Sequence, residues 1–151
     1  MADEDTWTRR FMALCDHISL WSEDRDFQVG CVIVSPEGHE IRSTGYNGLA
    51  RGVSSTDPAR FDRPSGEKFH WFEHAERNAI YNAARAGVQL QGCTLYVNRF
   101  PCADCGRAII QSGILKIVAP PIPDADGALD YSFRVSRQML SEAGVSVAEF
   151  K

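Results

Sequence analysis

Residues 94–119 read TLYVNRFPCADCGRAIIQSGILKIVA, and the order of secondary structure in this stretch decides the fold class. Its two ends, TLYV at 94–97 and KIVA at 116–119, are short runs of apolar, β-branched and aromatic residues, which predicts two strands. Residues 103–112 between them carry a helical pattern followed by Gly113, a typical residue just past a helix end. A strand, a helix and a strand in this order predict parallel pairing through a right-handed crossover.

The rest of the chain adds a hairpin and further helices to this unit. A nearly continuous apolar run, FQVGCVIV at 27–34, is followed by Ser-Pro-Glu-Gly and by a second strand within EIRSTGYNG at 40–48. The remaining elements are predicted as helices at 6–22, 73–86 and 133–143 and as a strand at 145–150. The order α-β-β-α-β-α-β-α-β predicts an α/β fold in which a five-stranded mixed sheet carries helices on both faces, as three α/β/α layers.

Two segments lack a clear periodic pattern. Residues 48–68, GLARGVSSTDPARFDRPSGEK, are dense in Gly, Pro, Ser, Asp and Arg, and we predict a loop without regular elements. We interpret it as a substrate-side loop, and a structural insertion is the alternative. Residues 121–130, PIPDADGALD, form a second predicted loop.

Length and composition indicate a globular protein that acts on a small molecule. The 151 residues fit a single domain over 1–151, and the 44% hydrophobic and 24% charged residues are typical of folded proteins. No apolar run is long enough to cross a bilayer and the N-terminus lacks an apolar signal region, so we expect a cytoplasmic protein. The net charge of −4 argues against nucleic acid as a partner, because phosphate binding depends on clustered Lys and Arg.

The five cysteines divide into two groups. The odd count, without an export signal, argues against a disulfide framework. Cys15, Cys31 and Cys93 lie in or beside apolar runs, and we expect them in the core. Cys102 and Cys105 form a CxxC pair at a predicted helix start, which is compatible with zinc, with a redox dithiol or with no joint role.

A second motif provides context for the CxxC pair. WFEHAERNA at 71–79 places His74 and Glu76 at another predicted helix start. His74, Cys102 and Cys105 would give three protein ligands, which is the pattern of a catalytic zinc ion with an open fourth position. Helix N-termini stabilise thiolates, and the metal lowers the pKa of water in the open position. Glu76 would then move protons; taken alone it is more often an ordinary carboxylate at a helix start, and the CxxC pair reverses that preference.

Together, His74-Ala75-Glu76 and Pro101-Cys102-Ala103-Asp104-Cys105 resemble the zinc-dependent cytidine/deoxycytidylate deaminase superfamily, whose motifs are H-x-E and P-C-x-x-C. The segments FQVGCVIV and GYNGLARGV make the chain most similar to deoxycytidylate deaminases. The resemblance implies the family's three-layer fold, Zn²⁺ as cofactor, and hydrolysis of dCMP to dUMP and ammonia. It also implies a homo-oligomer.

The resemblance and the neighbourhood of the motifs suggest further site residues. Asn47 aligns with the family's asparagine that touches sugar and base, although a turn Asn beside Gly is the ordinary alternative. Ala75, Tyr46 and Phe100 adjoin the motifs and are predicted to contact the substrate, with core packing as the alternative for the aromatics. Arg85 matches a position implicated in regulation, and it would equally complement the helix dipole.

The chain also departs from the family's pattern. Residues 119–123 read APPIP where deoxycytidylate deaminases carry Ser-Asp-Lys-Tyr, a stretch that helps form the nucleotide pocket, so the resemblance does not extend to recognition of a phosphate. The loop at 48–68 has no cysteine, so a second zinc is not expected. The candidates for binding a phosphate are loop arginines, namely Arg25, Arg51, Arg60 and Arg63. Deamination of another base, nucleoside or nucleotide remains the near alternative, and a noncatalytic zinc-stabilised or redox module the distant one.

Overall fold

The structure, a computed structural model, describes residues 1–124 and 128–151. Within these residues the strands are β1 (Gly30–Val34), β2 (Ile41–Tyr46), β3 (Gly48–Leu49), β4 (Phe72–Glu73), β5 (Thr94–Val97), β6 (Lys116–Ala119) and β7 (Ser146–Glu149). The helices are α1 (Glu4–Ser19), α2 (Lys68–Trp71), α3 (Ala75–Ala86), α4 (Ala103–Gln111) and α5 (Ala128–Glu142), with a 3₁₀ turn at Pro58–Phe61.

The main sheet has five strands in the order β2-β1-β5-β6-β7. β1 pairs antiparallel with both β2 and β5, whereas β5, β6 and β7 pair parallel. The parallel part follows from the crossover helices α4 and α5, since parallel neighbours cannot be joined by a tight turn. The predicted mixed sheet is confirmed in strand number and in direction.

Helices cover both faces of the sheet. Alternate side chains of a strand point to opposite faces, and in β1 Val32 and Val34 pack against α1 while Cys31 and Ile33 face α3, α4 and α5. All five residues of β1 are buried, as expected for a strand with a helix layer on each side. Cys15, Cys31 and Cys93 lie in this core at 0–1% exposure, which confirms their predicted burial.

The largest correction concerns the predicted loop at 48–68, which is not free of regular structure. β3 pairs antiparallel with β4, with Gly48 opposite Glu73 and Leu49 opposite Phe72. Asp57 accepts a hydrogen bond from the Ala59 N–H and begins the 3₁₀ turn. Two-residue strands have no periodicity, so only the long-range pairing reveals them. The segment is thereby held against the start of α3.

Several predicted element ends also move. α1 ends at Ser19 instead of residue 22, and it begins at Glu4 instead of residue 6 because Asp3 caps its first turn by accepting the Thr6 N–H at 2.9 Å. α5 begins at Ala128 instead of residue 133. Of the predicted loop at 121–130, residues 121–124 are irregular and 128–130 are helical, while 125–127 lie outside the described residues.

The start of α3 is the correction that matters most for function. The helix was predicted from residue 73, but Glu73 belongs to β4 and His74 is the N-cap, with an extended backbone at φ −81° and ψ 154°. The turn from β4 into α3 therefore falls on His74 itself. The His74 side chain projects from the turn between β4 and α3.

α3 is fixed to the edge strand β2 by side-chain hydrogen bonds. The Ser43 hydroxyl donates to the Ala79 carbonyl (2.6 Å), the Asn78 amide to the Tyr46 carbonyl (2.8 Å) and the Asn82 amide to the Thr44 carbonyl (2.8 Å). The asparagines satisfy carbonyl groups on an edge that lacks a further strand, so the helix also protects this edge. These hydrogen bonds fix the position of α3 along β2 and its rotation about the helix axis.

None of the helices in the described part of the chain is long and apolar enough to span a membrane.

Gly45 on β2 permits the close approach of α3. A Cβ at this position would lie 2.4 Å from the Ala75 carbonyl oxygen and 2.4 Å from the Ala79 backbone nitrogen, both backbone atoms that cannot rotate away. We predict that Gly45→Ala lowers the free energy of unfolding by about 1–3 kcal/mol, the usual range for overpacking. Chemical denaturation measures this change. Gly48→Ala is the matched control, because a Cβ there meets nothing within 4 Å; equal stability of both variants would contradict the account.

Candidate active site

Two helix N-termini meet at the site. His74 is the N-cap of α3 and Cys102 the N-cap of α4, both with extended backbone, and neither side chain caps its own helix. The start of α4 is capped from another helix instead, because the Ala103 N–H donates to the Ser132 hydroxyl of α5 at 2.9 Å. The imidazole and the thiol are thus left for other partners.

The three predicted ligands converge. His74 Nδ1 lies 3.4 Å from Cys102 Sγ and 3.4 Å from Cys105 Sγ, and all three ligand atoms lie within 4.8 Å of one another. Tetrahedral zinc with ordinary bond lengths separates such atoms by about 3.5–3.8 Å. The donor set of one imidazole and two thiols therefore fits zinc in both chemistry and spacing, with a fourth position free for a non-protein ligand.

The surroundings favour an anionic sulfur. The hydrogen bond from Cys105, followed by the contact with His74, lowers the pKa of the Cys102 thiol to about 4, although burial opposes the change. The same Cys102–Cys105 hydrogen bond, together with burial, raises the pKa of Cys105. The hydrogen bond with Cys102 also raises the pKa of His74. One thiolate in a partly positive environment is the arrangement that attracts a cation of the zinc type.

Glu76 lies in the first turn of α3 and is only 4% exposed. Burial raises the pKa of its carboxyl above the ordinary value, and the nearby His74 opposes this rise. It lines the same cavity as His74 and Cys102. A carboxyl group held beside a metal site, but outside its ligand set, is placed to exchange protons with a bound substrate.

The cavity above these residues is open to solvent and encloses about 720 Å³ when its mouth is included. Its walls are mostly apolar and aromatic, and they are formed by Phe27, Val29, Phe69, Phe72, Phe100, Leu129 and Phe133. Its polar residues include Asp24, Asn47, Arg63, Lys68, Glu73 and Arg99 beside the metal-site residues. An apolar slot with a few polar groups suits a flat heterocycle carrying a charged substituent.

The predicted substrate residues separate into two groups. Asn47, Ala75 and Phe100 line the cavity. The Asn47 amide also holds the neighbouring loop, because its oxygen accepts the Val29 N–H at 2.8 Å and its NH₂ donates to the Phe27 carbonyl at 2.7 Å. Tyr46 is not among the described residues around this cavity; it lines a separate depression and meets Trp21 edge-on.

Arg85 lies at the other end of α3, exposed in the last turn. It follows His74 by eleven positions, which is about 16 Å along a helix. It therefore does not contribute to the cavity, and its regulatory role stays a prediction.

Of the four loop arginines considered from sequence, only Arg63 reaches the cavity. Arg25 and Arg51 line other depressions, and Arg60 stacks on Trp71 at 4.0 Å. Sequence reasoning missed Arg99, although it stands three residues before Cys102 and so had to fall near the metal site. It also missed Lys68, which forms a buried ion pair with Asp24 across the cavity wall.

Arg77 links the two helices that carry the ligands. From α3 it forms ion pairs with Glu73 (2.5 Å) and with Asp104 of α4 (3.5 Å). The Glu73 carboxylate in turn accepts the backbone N–H of His74 at 3.0 Å. This connection ties the residue before His74 to the turn between Cys102 and Cys105, so it should maintain the spacing of the three ligands.

We predict that Arg77→Gln and Asp104→Asn weaken zinc binding by about three- to fivefold, the range expected for a partly exposed ion pair. Competition with a chromophoric zinc chelator measures the affinity. Arg107→Gln is the control, because Arg107 pairs with the same Asp104 carboxylate on the exposed surface without reaching α3. Unchanged affinity in Arg77→Gln would show that the connection does not position the ligands.

Comparison with known proteins agrees with this geometry. The family described as "Cytidine and deoxycytidylate deaminase zinc-binding region" matches residues 5–120. The "Uncharacterized deaminase in luxG 3'region" of Aliivibrio fischeri is 39% identical over 142 residues, covering 93% of this chain and 91% of that protein. Human deoxycytidylate deaminase is 33% identical over 150 residues, covering 95% of this chain and 79% of the human protein.

Among solved structures, the dCMP deaminase of cyanophage S-TIM5 in complex with dCMP and dUMP superposes with a TM-score of 0.79. The superposition covers 99% of this chain and 100% of that one at 22% identity, so it concerns the fold alone. It agrees with the predicted cytidine deaminase-like architecture. With the family match spanning most of the chain and the ligand triad assembled, the protein belongs to the zinc-binding cytidine and deoxycytidylate deaminase family.

Proposed function

We propose that the protein is a zinc-dependent deaminase of a pyrimidine nucleotide and that it converts dCMP to dUMP and ammonia. The observation that carries the proposal is the convergence of His74, Cys102 and Cys105 beside the buried Glu76 at one end of an aromatic cavity. Human deoxycytidylate deaminase at 33% identity supports dCMP as the substrate. We take residues 1–151 as a single catalytic domain.

The metal would be held by His74 Nδ1, Cys102 Sγ and Cys105 Sγ. When bound, zinc supplies a Lewis acid that makes water nucleophilic at neutral pH. The protein contributes a site buried from solvent, where the charge that develops in the reaction is weakly screened.

Glu76 performs the proton transfers in this proposal. As water adds to the carbon that bears the amine, the Glu76 carboxylate accepts one proton and delivers it to the adjacent ring nitrogen. Glu76 then moves the second proton, from the added hydroxyl to the departing nitrogen. The carbon–nitrogen bond breaks, ammonia leaves, and the oxygen of water remains as the new carbonyl of the uracil ring.

The cavity walls would orient the base for this attack. Ala75 is the first residue of α3, whose N–H has no acceptor inside the helix, so it can donate to a carbonyl of the pyrimidine. Phe100, held edge-on by Phe133, bounds the base on another side. We assign Asn47 to the sugar and the nearby edge of the base, and we leave Tyr46 out of the site because it faces a different depression.

We also propose a homo-oligomer. Trp21, Tyr46 and Tyr81 are 53%, 42% and 48% exposed, and exposed aromatic groups of this size are typical of interaction surfaces. Light scattering of the purified protein tests this assignment, and a monomer at micromolar concentration would contradict it.

Glu76→Gln tests the proton-transfer role. The amide keeps the size of the side chain but cannot accept the proton, so we predict a loss of kcat of about 10²–10⁴-fold with zinc content unchanged. Ammonia release from dCMP, measured with metal analysis, gives both readouts. Glu37→Gln in the exposed turn before β2 is the control. Normal turnover in Glu76→Gln would disprove the assigned role.

The same assay across dCMP, CMP, deoxycytidine, cytosine and adenine nucleotides tests the substrate. We expect dCMP to have the highest kcat/KM. A clear preference for a purine or a free base would overturn the substrate assignment while leaving the deaminase chemistry intact. No ammonia from any of these compounds by the zinc-loaded protein would overturn the proposed function.

A further inference from the structure

We propose that Arg63 and Arg99 form a two-arginine clamp at the cavity that binds the 5′-phosphate of the nucleotide, an inference that rests on the proposed function. The two residues come from distant parts of the chain, the segment before α2 and the turn between β5 and α4. Both line the cavity that contains Glu76 and the zinc ligands.

The two guanidinium groups share one aromatic ring. Arg63 Cζ lies 3.9 Å and Arg99 Cζ lies 4.3 Å from the centroid of Phe27. Stacking uses the flat face of a guanidinium group and leaves its N–H donors, which lie in the plane, available to an oxygen acceptor. Phe27 therefore fixes the position of both cations without consuming their hydrogen-bonding capacity.

Apart from the catalytic candidate Glu76, whose charge opposes the lowering of the pKa of Arg99 by burial, the Asp, Glu and Lys side chains that line the cavity have ion-pair partners. Lys68 pairs with Asp24, whose carboxylate also accepts the backbone N–H groups of Asp26 and Phe27. Glu73 pairs with Arg77. Across residues 1–124 and 128–151, by contrast, Arg63 and Arg99 form no ion pair with a carboxylate. The cavity thus carries two arginines without an ion-pair partner, and Glu76 is the one carboxyl group of its described lining that is also unpaired.

The proximity of the two unpaired arginines favours binding of an anion in the cavity. Arg99 is half-buried, and burial together with the charge of Arg63 lowers the pKa of Arg99. Two like charges in a partly dehydrated place repel each other until an anion lies between them. Paired arginines match a tetrahedral phosphate, because each offers two parallel donors to two oxygens.

The clamp also gives the two ends of the cavity different roles. In this proposal the zinc ligands and Glu76 act on the amine-bearing edge of the base, while Arg63 and Arg99 bind the phosphate attached to the sugar. None of residues 119–123 lines the cavity, so Arg63 and Arg99 are the unpaired basic side chains of its described lining that could bind a phosphate. Selectivity for a nucleotide over a nucleoside then depends on these two side chains.

Arg63→Gln and Arg99→Gln test the clamp against matched substrates with and without the phosphate. We expect each variant to lower kcat/KM for dCMP by about 10- to 100-fold, mainly through KM, the effect of one hydrogen-bonded charge. Activity on deoxycytidine should stay within about twofold, and zinc content should not change. Arg99→Lys, which keeps the charge but loses the planar fork, should lie between wild type and Arg99→Gln. Arg51→Gln is the control, since Arg51 is exposed and donates to Asn82 outside the cavity.

Binding of dUMP and deoxyuridine, measured by calorimetry, separates this inference from the proposed function. Wild type should bind dUMP more tightly than deoxyuridine, and both glutamine variants should lose that difference. If the protein deaminates dCMP but the variants keep the nucleotide preference, the clamp is wrong and the proposed function stands. If no substrate is deaminated but dUMP binding depends on both arginines, the clamp stands and the function fails. Equal binding of dUMP and deoxyuridine by wild type overturns the clamp.

Discussion

The close packing of helix α3 against the edge strand β2 is the structural constraint on which the site depends. Gly45 removes the side chain that would hold the helix away, and hydrogen bonds from Ser43, Asn78 and Asn82 fix its rotation. The helix start then falls at the end of β4, with His74 as the N-cap and Glu76 in the first turn. One helix position therefore sets both the proposed metal ligand His74 and the proposed proton-transfer group Glu76.

The second half of the site comes from the parallel part of the sheet. β5 ends beside β1, and the chain turns directly into α4, so Cys102 and Cys105 arrive at the same edge as His74. Both helices direct their N-terminal N–H groups toward this place, which favours thiolate and any anionic group formed there. The ion pair between Arg77 and Asp104 connects the two helix starts directly. The proposed catalytic arrangement thus follows from where two helices begin.

The sequence predicts the groups whose positions are set locally. His74 and Glu76 share one helix start, and Cys102 and Cys105 share another, so the spacing predicts that the members of each pair lie close together, and the two motifs in combination predict a zinc site. Tyr46 and Asn47 show the limit of this reasoning. Neighbouring residues of an extended chain point to opposite sides, so Asn47 faces the cavity while Tyr46 faces away. Proximity to a motif in sequence could not distinguish them.

Features made by distant segments could not be predicted in this way. The pairing of β3 with β4 joins residues 48–49 to residues 72–73, and neither two-residue strand has a pattern of its own. Arg63 and Arg99 meet on Phe27 although each is an ordinary loop arginine in sequence. The buried pair of Asp24 and Lys68 is likewise visible only once residues 44 positions apart are folded together.

X-ray absorption at the zinc edge of the purified protein tests the central claim most directly, because it counts the ligands of the metal without relying on activity. The account predicts about one zinc per chain, with two sulfur ligands at about 2.3 Å and two nitrogen or oxygen ligands at about 2.0–2.1 Å. Four sulfur ligands, or a folded protein that retains no zinc, would contradict it.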